Sequence, residues 1–132
     1  MKKIFSMLII FAVACVANAA DIDALTKKAN AGDAQAMYEL AMAYDGMNDI
    51  KKAVEWYEKA ANKGHDEAMN ELGLLYYYGV DGVLAEDHVK GCMYLYTTTV
   101  DAAAYPCTQL RDENENKKAL EEAAKFKKSL GR

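Results

Sequence analysis

The stretch AMYELAMAY at residues 36–44 decides the fold, because it returns as AMNELGLLY at residues 68–76. The two copies lie 32 residues apart, and Gly32 recurs in the same register as Gly64. Between the copies runs AVEWYEKAANKG, residues 53–64. Self-similarity at a period of roughly 20–50 residues is the signature of a stacked repeat. We therefore predict an all-α solenoid of antiparallel helix pairs, about two and a half repeats long. Such repeats usually bind partners and seldom catalyse reactions.

Apolar residues follow helical spacing in both copies, at positions i, i+3, i+4 and i+7. These positions hold Met37, Leu40, Ala41 and Tyr44 in the first copy and Met69, Leu72, Gly73 and Tyr76 in the second. The small residues Ala41 and Gly73 are expected where two helices cross closely. Gly32 and Gly64 fit the ends of preceding helices, where a left-handed conformation is needed. Asp33 is expected to be the N-cap of the helix that follows.

The N-terminus has the pattern of a cleaved export signal. Lys2 and Lys3 precede an uncharged apolar run from Ile4 to Val16, which ends in Ala17-Asn18-Ala19. This small-x-small ending is what a signal peptidase reads, and the run is shorter than the ~20 residues of a membrane-spanning helix. We predict a signal peptide at residues 1–19 and a periplasmic or secreted mature chain. The alternative is a lipoprotein signal acylated at Cys15.

The composition of the mature chain limits its partners. Removal of residues 1–19 leaves 113 residues, with 14 basic residues against 20 acidic ones. A chain this acidic has no electrostatic reason to bind nucleic acid, and we expect no stable membrane insertion after the signal is removed. Two cysteines remain, Cys92 and Cys107. An even number in an exported protein favours a disulfide between them, with two free buried thiols as the alternative.

The flanks of the two copies look like partial repeats. Residues 21–31 match the end of a second helix and suggest an N-terminal cap. Pro106 is tolerable only in the first turn of a helix, so we expect a helix to begin near Tyr105 with Cys107 in its first turn. Residues 115–130 have helical spacing and predict a closing amphipathic helix. Within a repeat domain at 20–132, the expected bounds are 21–31 for the cap, 33–64 and 65–102 for the repeats, and 103–132 for degenerate C-terminal helices.

These motifs resemble the Sel1-like repeat family, a relative of the tetratricopeptide repeats. The second copy matches its pattern through Leu72-Gly73, Tyr76, Gly79 and Asp87-x-x-Lys90, and the first through Asp49-x-x-Lys52-Ala53 and Trp56-Tyr57-x-Lys59-Ala60-Ala61. The similarity covers about residues 21–100 and fades from Thr97 onward. It implies a right-handed superhelix with a concave face. Exported members of the family commonly act as scaffolds or adaptors in envelope processes.

The mature chain offers little for catalysis. Its single serine is Ser129, which stands in no nucleophile motif. His65 and His88 lack a second histidine at i+4, so we interpret them as a capping and a loop residue rather than zinc ligands. Asp112-x-Asn114-x-Asn116 starts like a calcium loop but lacks the glycine at its sixth position and the closing glutamate. We expect no enzyme activity, no cofactor and no metal site.

Binding residues are expected on the first helix of each pair, beside the core stripe. The candidates are Tyr38, Met42, Asn70, Leu74, Tyr77 and Tyr78. Tyrosine suits interfaces because it is large, rigid and half polar, although several of these rings could simply pack between helices. We predict an exported adaptor, scaffold or regulator that holds a protein or peptide of the cell envelope in a Tyr-lined groove. The alternatives are a periplasmic immunity or inhibitor protein that blocks a toxic enzyme and, less favoured, an enzyme acting on peptidoglycan or β-lactams.

Overall fold

The computed structural model describes residues 19–99, 105–110 and 112–132. The expected signal peptide lies outside these residues, except for Ala19. Within them the chain forms six α-helices and one short 3₁₀ helix, η1. The helices are α1 (Ala19–Asn30), α2 (Ala34–Gly46), α3 (Ile50–Asn62), α4 (Asp66–Tyr78), α5 (His88–Thr97) and α6 (Glu113–Ser129), and η1 spans Pro106–Gln109.

The helices stack as an all-α solenoid of helix pairs, as the repeat predicts. α2 packs on α3 and α4 packs on α5, while α1 covers α2 and α6 covers α5. The main core between them is built from the predicted helical stripes. Its larger buried side chains are Met37, Leu40, Tyr57, Met69, Leu72 and Tyr94. The apolar periodicity therefore identified the residues that hold the pairs together.

The repeat also sets where the helices begin and end. Gly32 and Gly64 have φ angles of +97° and +85°, a left-handed conformation that glycine adopts without steric cost. The following residue in each repeat caps the next helix. The Asp33 carboxylate accepts a hydrogen bond from Ala36 N at 3.1 Å. The His65 ring accepts one from Ala68 N at 3.3 Å.

The second helix pair crosses closely. A Cβ atom built on Gly73 would lie 2.6 Å from Cγ of Leu95, and one on Gly91 would lie 2.7 Å from the backbone N of Tyr77. The close approach predicted at Gly73 is therefore present, with a second glycine facing it. The first pair has Ala41 and Ala53 at the corresponding places, and both are fully buried.

The helix expected to begin near Tyr105 is present, but as a 3₁₀ helix of four residues. Only η1 forms there, and Cys107 lies buried within its four residues. Leu110 leaves the helical region at ψ 126°. The Asp112 carboxylate then accepts the N–H groups of Asn114 and Glu115, which starts α6 as a separate helix. The closing helix predicted at 115–130 is confirmed.

α6 runs along α5 in the same direction. Glu115 lies 3.7 Å from His88 near the start of both helices, and the Phe126 ring contacts the Tyr94 ring at 5.6 Å further along. α6 therefore covers α5 at the C-terminal side of the second helix pair.

Candidate interaction face on the first helices

The sides of α2 and α4 that point away from the core form one candidate face. We call it the first-helix face and define it by residues at helical spacing opposite the buried stripe. They are Gln35, Tyr38, Glu39 and Met42 on α2, and Glu67, Asn70, Glu71, Leu74 and Tyr78 on α4. None of them is fully buried, although Tyr38 packs against the main core and Leu74 against the smaller core around Cys92 and Cys107. The face therefore contains five of the six predicted binding residues.

Gln35 and His65 join the two repeats within this face. The His65 Nε2 atom lies 2.9 Å from Oε1 of Gln35, and the Gln35 amide donates to Glu39 Oε1 at 3.0 Å. Because the other ring nitrogen of His65 accepts the Ala68 N–H, Nε2 carries the proton and donates to Gln35. These contacts join the start of α2 to the N-cap of α4, so the face passes from one first helix to the next at this end.

Tyr38 lies at the centre of that connection. Its ring stacks on the His65 ring, with centroids 4.6 Å apart, and tilts against Tyr57 at 5.9 Å. Burial raises the pKa of the Tyr38 phenol, and the charges of Glu71 and Glu67 raise it further. The phenol therefore stays protonated and lies in a negative field. It is half-buried, so its ring supports the face more than it projects from it.

The structure gives the neighbouring residues Tyr77 and Tyr78 different surroundings. The Tyr77 hydroxyl donates to the carbonyl of Pro106 at 3.1 Å, and its ring contacts His88. Leu74 and Tyr77 pack against the small second core around Cys92 and Cys107. Tyr78 instead leaves 63% of its surface exposed.

Met42 lies on α2 and Asn70 on α4. Met42 is 49% exposed, and Asn70 is half-buried. Met42 and Tyr78 are therefore the projecting apolar groups of this face.

A disulfide between Cys92 and Cys107 holds η1 beside the face. Both cysteines are fully buried, and their Cα atoms are 5.6 Å apart. The bridge fixes η1 against α5, next to Leu74 and Tyr77. η1 therefore continues the surface of α4 beyond the second helix pair.

Sequence reasoning missed a polar network between the repeats. Lys90 Nζ donates to Glu58 Oε1 at 2.9 Å and to the Tyr76 hydroxyl at 2.8 Å, and Tyr76 donates to Glu58 at 2.7 Å. Burial acts to raise the pKa of Glu58, but the hydrogen bonds from Tyr76 and Lys90 outweigh it, so this pKa is lowered. Burial likewise opposes the charge of Lys90, yet its partners raise its pKa above the usual range. Glu58 and Lys90 are 32 residues apart on different helices, and no sequence pattern pairs them.

The other polar side chains in the described part of the chain make local contacts. The Ser129 hydroxyl donates to the Phe126 carbonyl at 2.7 Å within its own helix turn. His65 and His88 lie in different parts of the solenoid, against Tyr38 and Tyr77 respectively. Among the described residues no cluster of three His, Cys, Asp or Glu side chains could hold a metal ion. Nor does any helix of the described ranges have the length and apolar character to cross a membrane.

Comparison with known proteins identifies the repeats. A family model described as Sel1 repeat matches twice, at residues 34–65 and 66–97. Over 73 residues the chain is 36% identical to the mouse (Mus musculus) protein named "Protein sel-1 homolog 2". That match covers 52% of this chain and only 10% of the mouse protein, so it concerns the repeats and not the whole relative.

Each matched segment contains one of the helix pairs described above. The first segment spans α2 and α3, and the second spans α4 and α5. Sel1 repeats are in general modules for protein–protein interaction and are typically non-catalytic. This chain contains two Sel1 repeats, at residues 34–65 and 66–97.

Proposed function

We propose that this protein is an exported adaptor, scaffold or regulator that binds a segment of another protein on its first-helix face. The observation that carries the proposal is the continuity of this face across two repeats, through the contact of Gln35 with His65. A surface spanning two helix pairs can hold an extended or helical segment of a partner.

The projecting groups of the face support this proposal. Met42 and Tyr78 are large apolar side chains left 49% and 63% exposed on helices whose other faces are buried. Methionine and aromatic residues are enriched at the centres of protein interfaces. Because both side chains stand on packed helices, a partner would meet a preformed surface and lose little entropy in ordering it. The binding role of Tyr38, Asn70, Leu74 and Tyr77 stays a prediction.

Export is the part of this proposal that rests on the sequence alone. It follows from the apolar run at Ile4–Val16 and the Ala17-Asn18-Ala19 ending. We expect the mature chain to begin at residue 20 and to be recovered from the periplasm or medium. Intact mass measurement of the purified protein tests this directly. A chain that retains residues 1–19, or one acylated at Cys15, would contradict cleavage at Ala19.

Capture of a partner tests the binding proposal. The mature protein is used as bait in an envelope extract beside a Met42→Ala/Tyr78→Ala variant. Leu120→Ala is the matched control, since Leu120 is also 49% exposed but lies on α6. Tyr77 is kept intact, because its hydroxyl holds Pro106 and its loss would disturb η1.

The proposal predicts one dominant partner that the double variant loses and the Leu120 variant keeps. A partner retained by the double variant would move the binding site away from the first-helix face. If the partner is a toxic enzyme that the bound chain inactivates, the regulator is an inhibitor of the immunity type.

A further inference from the structure

Charge is divided unevenly between the helices of this solenoid. The sequences of α2 and α4, AQAMYELAMAYDG and DEAMNELGLLYYY, contain five acidic residues and no lysine or arginine. The lysines of the described helices all lie on α1, α3, α5 and α6. The first-helix face is therefore acidic, and the chain's positive charge is displaced to the other helices.

The carboxylates of this face are left without cationic partners. Within the described ranges no lysine or arginine lies within salt-bridge distance of Glu39, Glu67 or Glu71; Glu67 approaches only His65, at 3.4 Å. Asp66, at the start of α4, differs because Arg132 binds it, with Nη1 2.6 Å from Oδ1. On or beside the other helices, lysines pair with Asp49, Glu58 and Glu122.

The aromatic rings also differ in whether a lysine lies over them. Rings beside the second helices already hold a lysine over their faces: Lys52 over Tyr44 at 5.0 Å, Lys59 over Trp56 at 3.7 Å and Lys90 over Tyr76 at 4.0 Å. Tyr78 is the most exposed ring of the first-helix face, and no cation among the described residues lies over it. A ring of this kind attracts an ammonium or guanidinium group within ~6 Å of its centroid.

We propose that the segment bound by the first-helix face is cationic, a stretch of another protein carrying Lys or Arg side chains. Its charges would lie opposite Glu67 and Glu71 and over the ring of Tyr78, while its apolar groups contact Met42. The inference rests on the proposed function and adds the chemistry of the partner. Nucleic acids and anionic lipid surfaces would be repelled by the same carboxylates.

Selection from random peptides tests this chemistry directly, because it requires no identified partner. A phage-displayed library of peptides of about twelve residues is selected on the mature protein. Enriched peptides are synthesised, and their Kd values are measured by calorimetry for three proteins. These are the unchanged chain, Glu67→Gln/Glu71→Gln on the face, and Glu55→Gln/Glu121→Gln, which removes two exposed carboxylates from α3 and α6 and so matches the change in net charge. Thermal denaturation of each variant confirms that it is folded.

The proposal predicts Lys- and Arg-rich peptides whose Kd rises roughly fivefold to tenfold in the face variant, since each partly exposed ion pair contributes up to ~1 kcal/mol. The control pair should change Kd less than about twofold, and binding should weaken as salt rises from about 50 mM to about 500 mM.

Each of the other outcomes would refute a specific part of the proposal. Equal losses of affinity in the face variant and the control variant would show that the attraction depends only on net charge. That result would contradict a specific site for cationic side chains on this face. Peptides that lose binding in Met42→Ala/Tyr78→Ala but are not enriched in Lys or Arg would leave the proposed function standing and refute this inference. Peptides indifferent to every change on the face would refute both. Self-association detected by sedimentation and abolished by Glu67→Gln/Glu71→Gln would assign the face to a second copy of the chain.

Discussion

His65 holds in the second repeat the place that Asp33 holds in the first, and each side chain caps the helix that follows. His65 also stacks on Tyr38 and donates to Gln35, so one residue links helix formation to the first-helix face. The cap requires an unprotonated Nδ1, because that atom accepts the Ala68 N–H.

Replacing His65 with alanine should lower the free energy of unfolding by about 1–2 kcal/mol, through loss of the cap and of the ring stacking. His65→Asn retains an acceptor and should recover about half of that loss. Urea denaturation at pH 7 measures both variants. An alanine variant as stable as the unchanged protein would show that the His65 ring does not cap α4.

Glu58 gives the molecule an acid-sensitive contact. Its pKa in the folded chain lies below the ordinary value of 4.5. The stabilisation is therefore fully present above pH 4.5 and is lost as the pH falls through the lower, folded-state pKa. Glu58→Gln should be less stable than the unchanged protein at pH 7, and the difference should shrink below pH 4.5. Unfolding free energies measured between pH 7 and pH 3 test this, with Glu55→Gln on the same helix as control. A difference that does not change with pH would contradict the role of the Glu58 charge.

At the scale of the elements, the crossing of α4 and α5 depends on glycine. A methyl group on Gly91 would meet backbone atoms of Tyr77 and Gly73 at 2.7 and 2.8 Å, so the helices would have to separate. Gly91→Ala should cost about 1–3 kcal/mol in spite of its better helix propensity. Gly46→Ala is the control, because nothing lies within 4 Å of its added Cβ. Thermal denaturation of both variants provides the measurement. An unchanged or raised Tm for Gly91→Ala would show that the pair can open without loss.

The disulfide is the main constraint on η1. Removing it in Cys92→Ala/Cys107→Ala should lower the free energy of unfolding by roughly 3 kcal/mol, the value for a loop of about 15 residues. We expect local opening around η1 to be affected most. Amide protons of residues 105–110 should exchange faster with solvent, and those of α2 should keep their protection. Hydrogen exchange followed by mass spectrometry distinguishes the two regions. Unchanged protection at 105–110 would mean that packing alone holds η1.

The sequence predicts α2 to α5 well because the repeat occurs twice. An apolar core position found in one copy can be compared with the equivalent position in the other. The C-terminal part has no such second copy. There Pro106 was compatible with a helix start, but the extended Leu110 and the new cap at Asp112 end η1 after one turn. Nothing in the spacing of nearby residues fixes those two conformations.

The sequence predicted which helices carry the candidate face, but not how exposed each of its side chains is. Tyr77 and Tyr78 are neighbours on one helix, and both fit a position beside the core stripe. Their different exposure depends on η1, which covers Tyr77 because the disulfide holds it there. The Gln35–His65 contact joins α2 to the N-cap of α4, and the sequence contains no pattern that pairs these two residues.

At the scale of the whole molecule, the solenoid separates two kinds of surface. The lysines of the described helices lie on α1, α3, α5 and α6, and the Glu58–Tyr76–Lys90 network ties the two helix pairs together. The first-helix face carries the carboxylates of Glu39, Glu67 and Glu71, which no lysine or arginine in the described part of the chain pairs, and exposed apolar groups. Arg132 closes the C-terminal end onto the start of α4 by donating to Gly64 O at 2.7 Å and to Asp66. This division leaves the first-helix face as the surface on which a partner would find uncompensated charge and apolar area together.

Site-specific photo-crosslinking in living cells tests the central claim, that this face binds another protein, most directly. A photoreactive benzoylphenylalanine is placed at Met42, Tyr78 or Leu120, one position at a time, in the full chain. The account predicts the same discrete adduct from Met42 and Tyr78 and none from Leu120. An adduct from Leu120 alone, or no adduct from any of the three positions, would contradict it.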